Sequence, residues 1–140
     1  MQDRPSAIEL LEAAADFVDG EIVTATSGRV QFQSRVVANV MRIVAREIRD
    51  EDPFARAEMR SLAALLKCEQ PHVHGLDDVR RAAAKLNEDL SARIHTGEAD
   101  RGPWRAEVLA AVRQIVENKL RIANPRYLEA DLAIRAGRGA

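Results

Sequence analysis

Residues 35–50, Arg35-Val-Val-Ala-Asn-Val-Met-Arg-Ile-Val-Ala-Arg-Glu-Ile-Arg-Asp50, decide how this chain folds. At about 100° per residue, Val36, Val37, Val40, Met41, Ile43, Val44 and Ile48 gather on an arc of roughly 140°. That width is expected of a central α-helix touched from two sides. The remaining arc carries Arg35, Asn39, Arg42, Arg46 and Arg49. The period-2 alternation of a half-buried strand is missing, here and in every other segment. The spacing therefore predicts a helix over about 30–50 with its valines turned inward.

The flanking segments read the same way. Ser6-Ala-Ile-Glu9 matches a capping box, in which serine hydroxyl and glutamate carboxylate each accept from a free backbone N–H. Ile8, Leu11, Ala15 and Val18 follow on one face, with Leu10, Ala14 and Phe17 beside them. Gly20 weakens this helix without having to stop it, and Ser27-Gly28 reads as the stop. Beyond residue 50, Asp52-Pro53 reads as N-cap and first position of a separate helix running to Cys68, with Met59, Leu62, Leu65 and Leu66 inward. Residues 69–75 form a loop. From Asp77, Val79, Ala83, Leu86, Leu90 and Ile94 alternate steps of four and three, and Gly97 supplies a left-handed stop. Pro103 opens a fifth helix with Trp104, Val108, Val112, Ile115 and Ile122 inward, flanked by Leu109, Val116 and Leu120. Asn124-Pro125 breaks it, because the residue before proline is pushed out of the α region. Tyr127–Ala136 reads as a short terminal helix and 137–140 as a frayed tail. The expected fold is all-α: one domain over 4–136, an antiparallel bundle of five main helices plus a short C-terminal helix.

Composition limits the function classes. The chain has 140 residues, and 21 Lys+Arg stand against 22 Asp+Glu for a formal charge of −1. That balance argues against a nucleic-acid binder, which carries a basic excess. No apolar run approaches the roughly 18–20 residues of a membrane helix. The start, Met1-Gln-Asp-Arg-Pro5, lacks the apolar core of a signal peptide. Cys68 is the single cysteine, which rules out an internal disulfide framework and fits a reducing, cytoplasmic setting.

Three constellations carry chemistry. Arg35, Asn39, Arg42, Arg46 and Arg49 form a stripe that suits an anion, such as a nucleotide, coenzyme A or an acidic helix, because guanidinium grips phosphate and carboxylate through a planar fork. The competing reading is a solvated face paired with nearby carboxylates. Glu47 falls inside the apolar arc, where a carboxylate needs a partner. It reads as half of a buried ion pair, with Arg4, Arg29 or Arg126 opposite, or else as a general base. Cys68, His72 and His74 offer soft ligands, but C-x3-H-x-H matches no closed zinc spacing and a fourth ligand is not evident, so no metal or other cofactor is expected. His95 stands alone on a helix. Asn124 and Tyr127 read as structural, capping and closing one end of the bundle. Phosphate-loop, dinucleotide, zinc-protease and nucleophile-elbow motifs are missing, and no catalytic residue is assigned. Strips of small residues, Ala63-Ala64 and Ala82-Ala83-Ala84, allow tight packing within a monomer or in a weak homodimer.

Several stretches together carry a resemblance: Arg4-Pro-Ser-Ala-Ile-Glu-Leu-Leu-Glu12, Gly28-Arg-Val-Gln-Phe-Gln-Ser-Arg-Val-Val-Ala-Asn39, Arg46-Glu-Ile-Arg49, Leu86-Asn87 and Asn124-Pro-Arg-Tyr127. The chain resembles an uncharacterised bacterial all-helical domain family over roughly residues 4–128. Arg29, Phe32, Arg35, Asn39, Glu47, Asn124, Pro125 and Tyr127 match its pattern, whereas His72-Val-His74 departs from it. The family is often encoded beside an aminoglycoside-phosphotransferase-like kinase and an acyl-CoA dehydrogenase-like protein. The resemblance thus implies a non-enzymatic accessory or protein-interaction role next to such a partner. The alternative is a small-molecule binder or enzyme that uses the Arg35–Arg49 face.

Overall fold

The structure, a computed structural model, describes residues 4–138. Met1–Asp3 and the last two residues of the expected frayed tail lie outside the described residues. Regular structure is helical throughout, and no strand occurs among the described residues. The elements are α1 (Ala7–Phe17), a π-helical turn (Val18–Ile22), α2 (Val23–Ala25), α3 (Gly28–Leu66), α4 (Leu76–His95), α5 (Pro103–Ala123) and α6 (Pro125–Arg138). Two compact units result. One holds the residues up to Glu51 together with Ile122–Asn124; the other holds Asp52–Arg121 and the residues from Pro125 on.

The start of α1 follows its sequence signature. Ser6 Oγ accepts from the Glu9 N–H at 3.2 Å, and Glu9 Oε2 accepts from the Ser6 N–H at 2.6 Å. The backbone hydrogen bond from Ser6 holds the Glu9 carboxyl below its ordinary range. Gly20 does not stop the helix: the chain widens into the π turn, and Ser27-Gly28 then separates α2 from α3, with Gly28 at a φ of +60°. L side chains rarely adopt that angle.

The separate helices expected on either side of Asp52-Pro53 are one helix, α3, 39 residues long with Pro53 inside it. Asp52 does not cap; its carboxylate accepts from Arg56 Nε at 2.9 and 3.1 Å, one turn on. Proline inside a helix removes one i→i−4 bond and crowds the preceding turn, at a cost of about 3 kcal/mol. Tertiary packing on both sides of Pro53 outweighs that local preference. The boundary between the two units falls immediately before Asp52.

The unit from Asp52 packs as its periodicity predicts. Met59, Leu62, Ala63 and Leu65 of α3, Val79, Ala83, Leu86 and Leu90 of α4, and Val108 and Ile115 of α5 form its core, with Trp104 packed against it. Two residues expected inside are exposed, Val112 of the α5 stripe and Ile94 at the end of the α4 seam, as are Leu109 and Val116 beside the α5 stripe. Proline at the first position of α6 satisfies the expected break at Asn124-Pro125, and the terminal helix extends beyond both limits read from the sequence.

Two helix ends in this unit use one device with different residues. At the end of α4, Gly97 takes φ +85°, and the Gly97 and Glu98 N–H groups donate to Ile94 and Arg93 carbonyls. At the end of α3, Lys67 takes φ +56°, and the Lys67 and Cys68 N–H groups donate to Ala64 and Ala63 carbonyls. Both are Schellman caps, but a Cβ at Lys67 strains the left-handed position. Lys67→Gly is therefore expected to stabilise the protein by about 0.5–1 kcal/mol in urea unfolding.

In the unit up to Glu51 the interior differs from the sequence reading. The buried residues are Ala15, Val23, Ser34, Ala38 and Ala45. The buried seam of α3 is made of small side chains, and Ser34 satisfies its hydroxyl by donating to the Val30 carbonyl at 2.9 Å. The valines expected inside face water: Val36, Val37 and Val40 are 46, 44 and 50 % exposed and Ile48 is 54 %. Small residues let two backbones approach closely, and the seam that faces α1 is the one that allows this approach. Two helices cannot also cover the opposite face of α3.

Candidate functional site

The arginine stripe of α3 borders the alanine seam, and α1 lies against it. Arg42 donates to Asp19 Oδ2 through Nη1 and to Asp16 Oδ1 through Nη2, both at 3.0 Å. Arg49 Nη2 donates to Glu12 Oε1 at 2.6 Å. Ascending acids meet descending arginines, so α1 and this part of α3 run in opposite directions. The hydrogen bond to Asp16 raises the Arg42 pKa above its ordinary value, ahead of any other influence. Arg46 Nε donates at 2.6 Å to the Ile122 carbonyl, in the last turn of α5, where a cation also suits the helix dipole. Burial, and then the like charges of Arg42 and Arg49, lower the Arg46 pKa.

Three of the four arginines in the candidate anion face are thus committed to holding the unit together. Arg35 and Asn39 are exposed on the same stripe. Because these pairs are partly solvated, each contributes modestly: Arg42→Met is expected to cost about 0.5–1 kcal/mol at low salt and less at high salt, measured by urea unfolding at both ionic strengths.

Glu47, expected in a buried ion pair, and Arg29, one of its three candidate partners, are both exposed; Asn124 and Tyr127, expected to cap and close one end of the bundle, are exposed too, Tyr127 at 60 %. Glu47 has no buried partner because the arc around it, which was read as interior, faces solvent. Cys68, His72 and His74 are likewise exposed, and Cys68 Sγ donates to the Ala63 carbonyl at 3.7 Å. Among the described residues no three His, Cys, Asp or Glu side chains are placed to hold a metal ion. His95 is exposed at the end of α4.

The sequence reading missed two polar features, both in the second unit. Glu58 keeps only 12 % of its side-chain surface and accepts from Lys119 Nζ at 3.0 Å and from Asn87 Nδ2 at 2.8 Å, tying α3, α4 and α5 together. The signal was available, since Glu58 lies four residues before the core residue Leu62. The second is a shallow concavity lined by Lys67, Arg93, Glu98, Pro103, Trp104 and Glu107. In it the Arg93 guanidinium stacks 4.1 Å from the Trp104 ring centre and donates to Glu98 at 2.7 Å, while the indole N–H donates to the Leu65 carbonyl at 3.3 Å. Arg93 and Glu98 are thus paired with each other, and Trp104 is occupied in closing the end of α3.

One face of α3 is apolar and exposed among the described residues. Val30, Phe32, Val36, Val37, Val40 and Ile48 are 44–66 % exposed along one helix. On the wheel Phe32, Val36, Val40 and Val44 form an i, i+4 ridge, flanked by Ile43 on one side and by Val37 and Ile48 on the other. In chemical terms this face is apolar, with Arg29 and Glu47 the charged residues on its arc.

Fold and site together define an all-helical domain with a charged intramolecular seam on one side of α3 and an uncovered apolar ridge on the other. The chain belongs to a family described as a domain of unknown function (DUF6285), whose profile matches residues 24–127 and so takes in the whole ridge. No curated protein and no solved structure shows significant similarity to the chain.

Proposed function

We propose that this protein is a non-enzymatic accessory or protein-interaction domain of the cytoplasm, and that the α3 ridge is a face through which it associates with protein. The supporting observation is the exposure of six large apolar residues on one helix, led by Phe32 at 66 %. Monomeric proteins rarely leave contiguous apolar patches beyond a few hundred Å² in water, and larger ones mark interaction sites. Arg29 and Glu47, at the two ends of the ridge along the helix axis, fit the charged rim of such a site. The reading of the arginine stripe as a nucleotide or coenzyme A site is weaker, because Arg42, Arg46 and Arg49 are already engaged within the chain.

The phosphotransferase-like kinase and the acyl-CoA dehydrogenase-like protein implied by the resemblance are the first partners to test. Co-expression with each is expected to yield a complex that survives purification from the wild type and not from Val36→Asp/Val40→Asp. A thermal shift with ATP or an acyl-CoA ester that disappears in Arg35→Ala would instead favour the anion-site reading.

A further inference from the structure

We propose that the apolar ridge of α3 is covered by a second copy of this chain, packed antiparallel about a two-fold axis level with Ala38. The inference rests on reading the ridge as a docking face, and the placement of charge along it names the occupant. Arg29 and Glu47 lie eighteen residues apart on α3. At about 3.6 residues per turn that is five turns, so both side chains stand at one angular position, roughly 27 Å apart along the axis. That position lies between Val36 and Val40, in the middle of the exposed arc.

Both residues are exposed, and neither is paired among the described residues. A cation in the first turn of a helix opposes the dipole, so Arg29 is unfavourably placed as an isolated side chain. A two-fold axis through the level of Ala38 brings Arg29 of one copy opposite Glu47 of the second, and Glu47 opposite Arg29. The same operation sets Val36 against Val40 and Phe32 against Val44. The ridge is therefore complementary to itself in both shape class and charge, as an isologous interface requires. A parallel pairing would set Arg29 against Arg29 and Glu47 against Glu47, which like charges disfavour.

Sedimentation equilibrium of the full chain, the single variants Arg29→Glu and Glu47→Arg, and the double variant Arg29→Glu/Glu47→Arg tests this. The wild type is expected to dimerise. Each single variant creates two repulsive contacts per dimer and should weaken it about ten-fold at low salt, and the double variant should return to within about three-fold of the wild type. Both charged positions are exposed, so circular dichroism should register equal helix content for all four proteins. A wild type that is monomeric at about 100 μM overturns the inference. So does a dimer whose double variant stays as weak as the singles, because only antiparallel self-pairing restores both contacts. A monomer that still binds the kinase through Val36 and Val40 overturns the dimer alone and leaves the docking face intact. If the wild type is monomeric and Val36→Asp/Val40→Asp alters no association, both the dimer and the docking face fall.

Discussion

Leu62→Ala is expected to destabilise the unit from Asp52 by about 2–5 kcal/mol, the range for a leucine deleted from a core that cannot collapse around the cavity. Leu62 is fully buried, and its neighbours in the core include Met59 at 1 % and Val79 at 0 % exposure. Met59 shares α3 with Leu62 and Val79 belongs to α4, and each is held by its helix's own backbone hydrogen bonds, so they cannot shift to fill the space. A domain's whole margin is only about 5–15 kcal/mol, so the change should lower the urea midpoint markedly without altering the slope. Val40→Ala, on the same helix and also apolar, is the control. Half of Val40 is exposed, and at dilution its loss should stay within about 0.5 kcal/mol. Equal costs at the two sites would mean that the ridge is part of the interior.

The second large effect concerns association. Val36→Asp/Val40→Asp is expected to keep the helix content of the wild type and to weaken self-association by at least about 100-fold. Each valine removed from an interface forfeits apolar burial, the two-fold doubles the loss, and carboxylates at the centre add desolvation cost. The sedimentation profile should collapse to a single monomer species over the concentration range in which the wild type dimerises. Retained association would place the contact elsewhere.

How much of this could be read from sequence depends on what decided the packing. In the second unit, steps of four and three through Val79, Ala83, Leu86 and Leu90 specify one face, and all four are buried. Gly97 and Pro125 mark ends by backbone chemistry that does not depend on neighbours. In the first unit, hydropathy favours the valine arc, whereas the partner helix selected the Ala38–Ala45 seam, whose small side chains let it approach until Glu12, Asp16 and Asp19 reach the arginines. A helical wheel shows which residues are apolar, but not which face a neighbour will take. Pro53 misled for a related reason: its local cost is real, but packing on either side carries the helix through. On the wheel Glu47 lies within the apolar arc, yet the carboxylate that is nearly buried is Glu58, one turn before Leu62.

The ridge can be tested at one side chain. In a Cys68→Ser background, single thiols introduced by Val36→Cys and Leu62→Cys are labelled with a maleimide at low and at high protein concentration. The thiol at position 36 should react about as fast as a free thiol at dilution and slow as concentration rises, while the thiol at position 62 stays protected throughout. Equal protection of both positions at the lowest concentration would contradict the account, because it would place the valines inside the chain's own core.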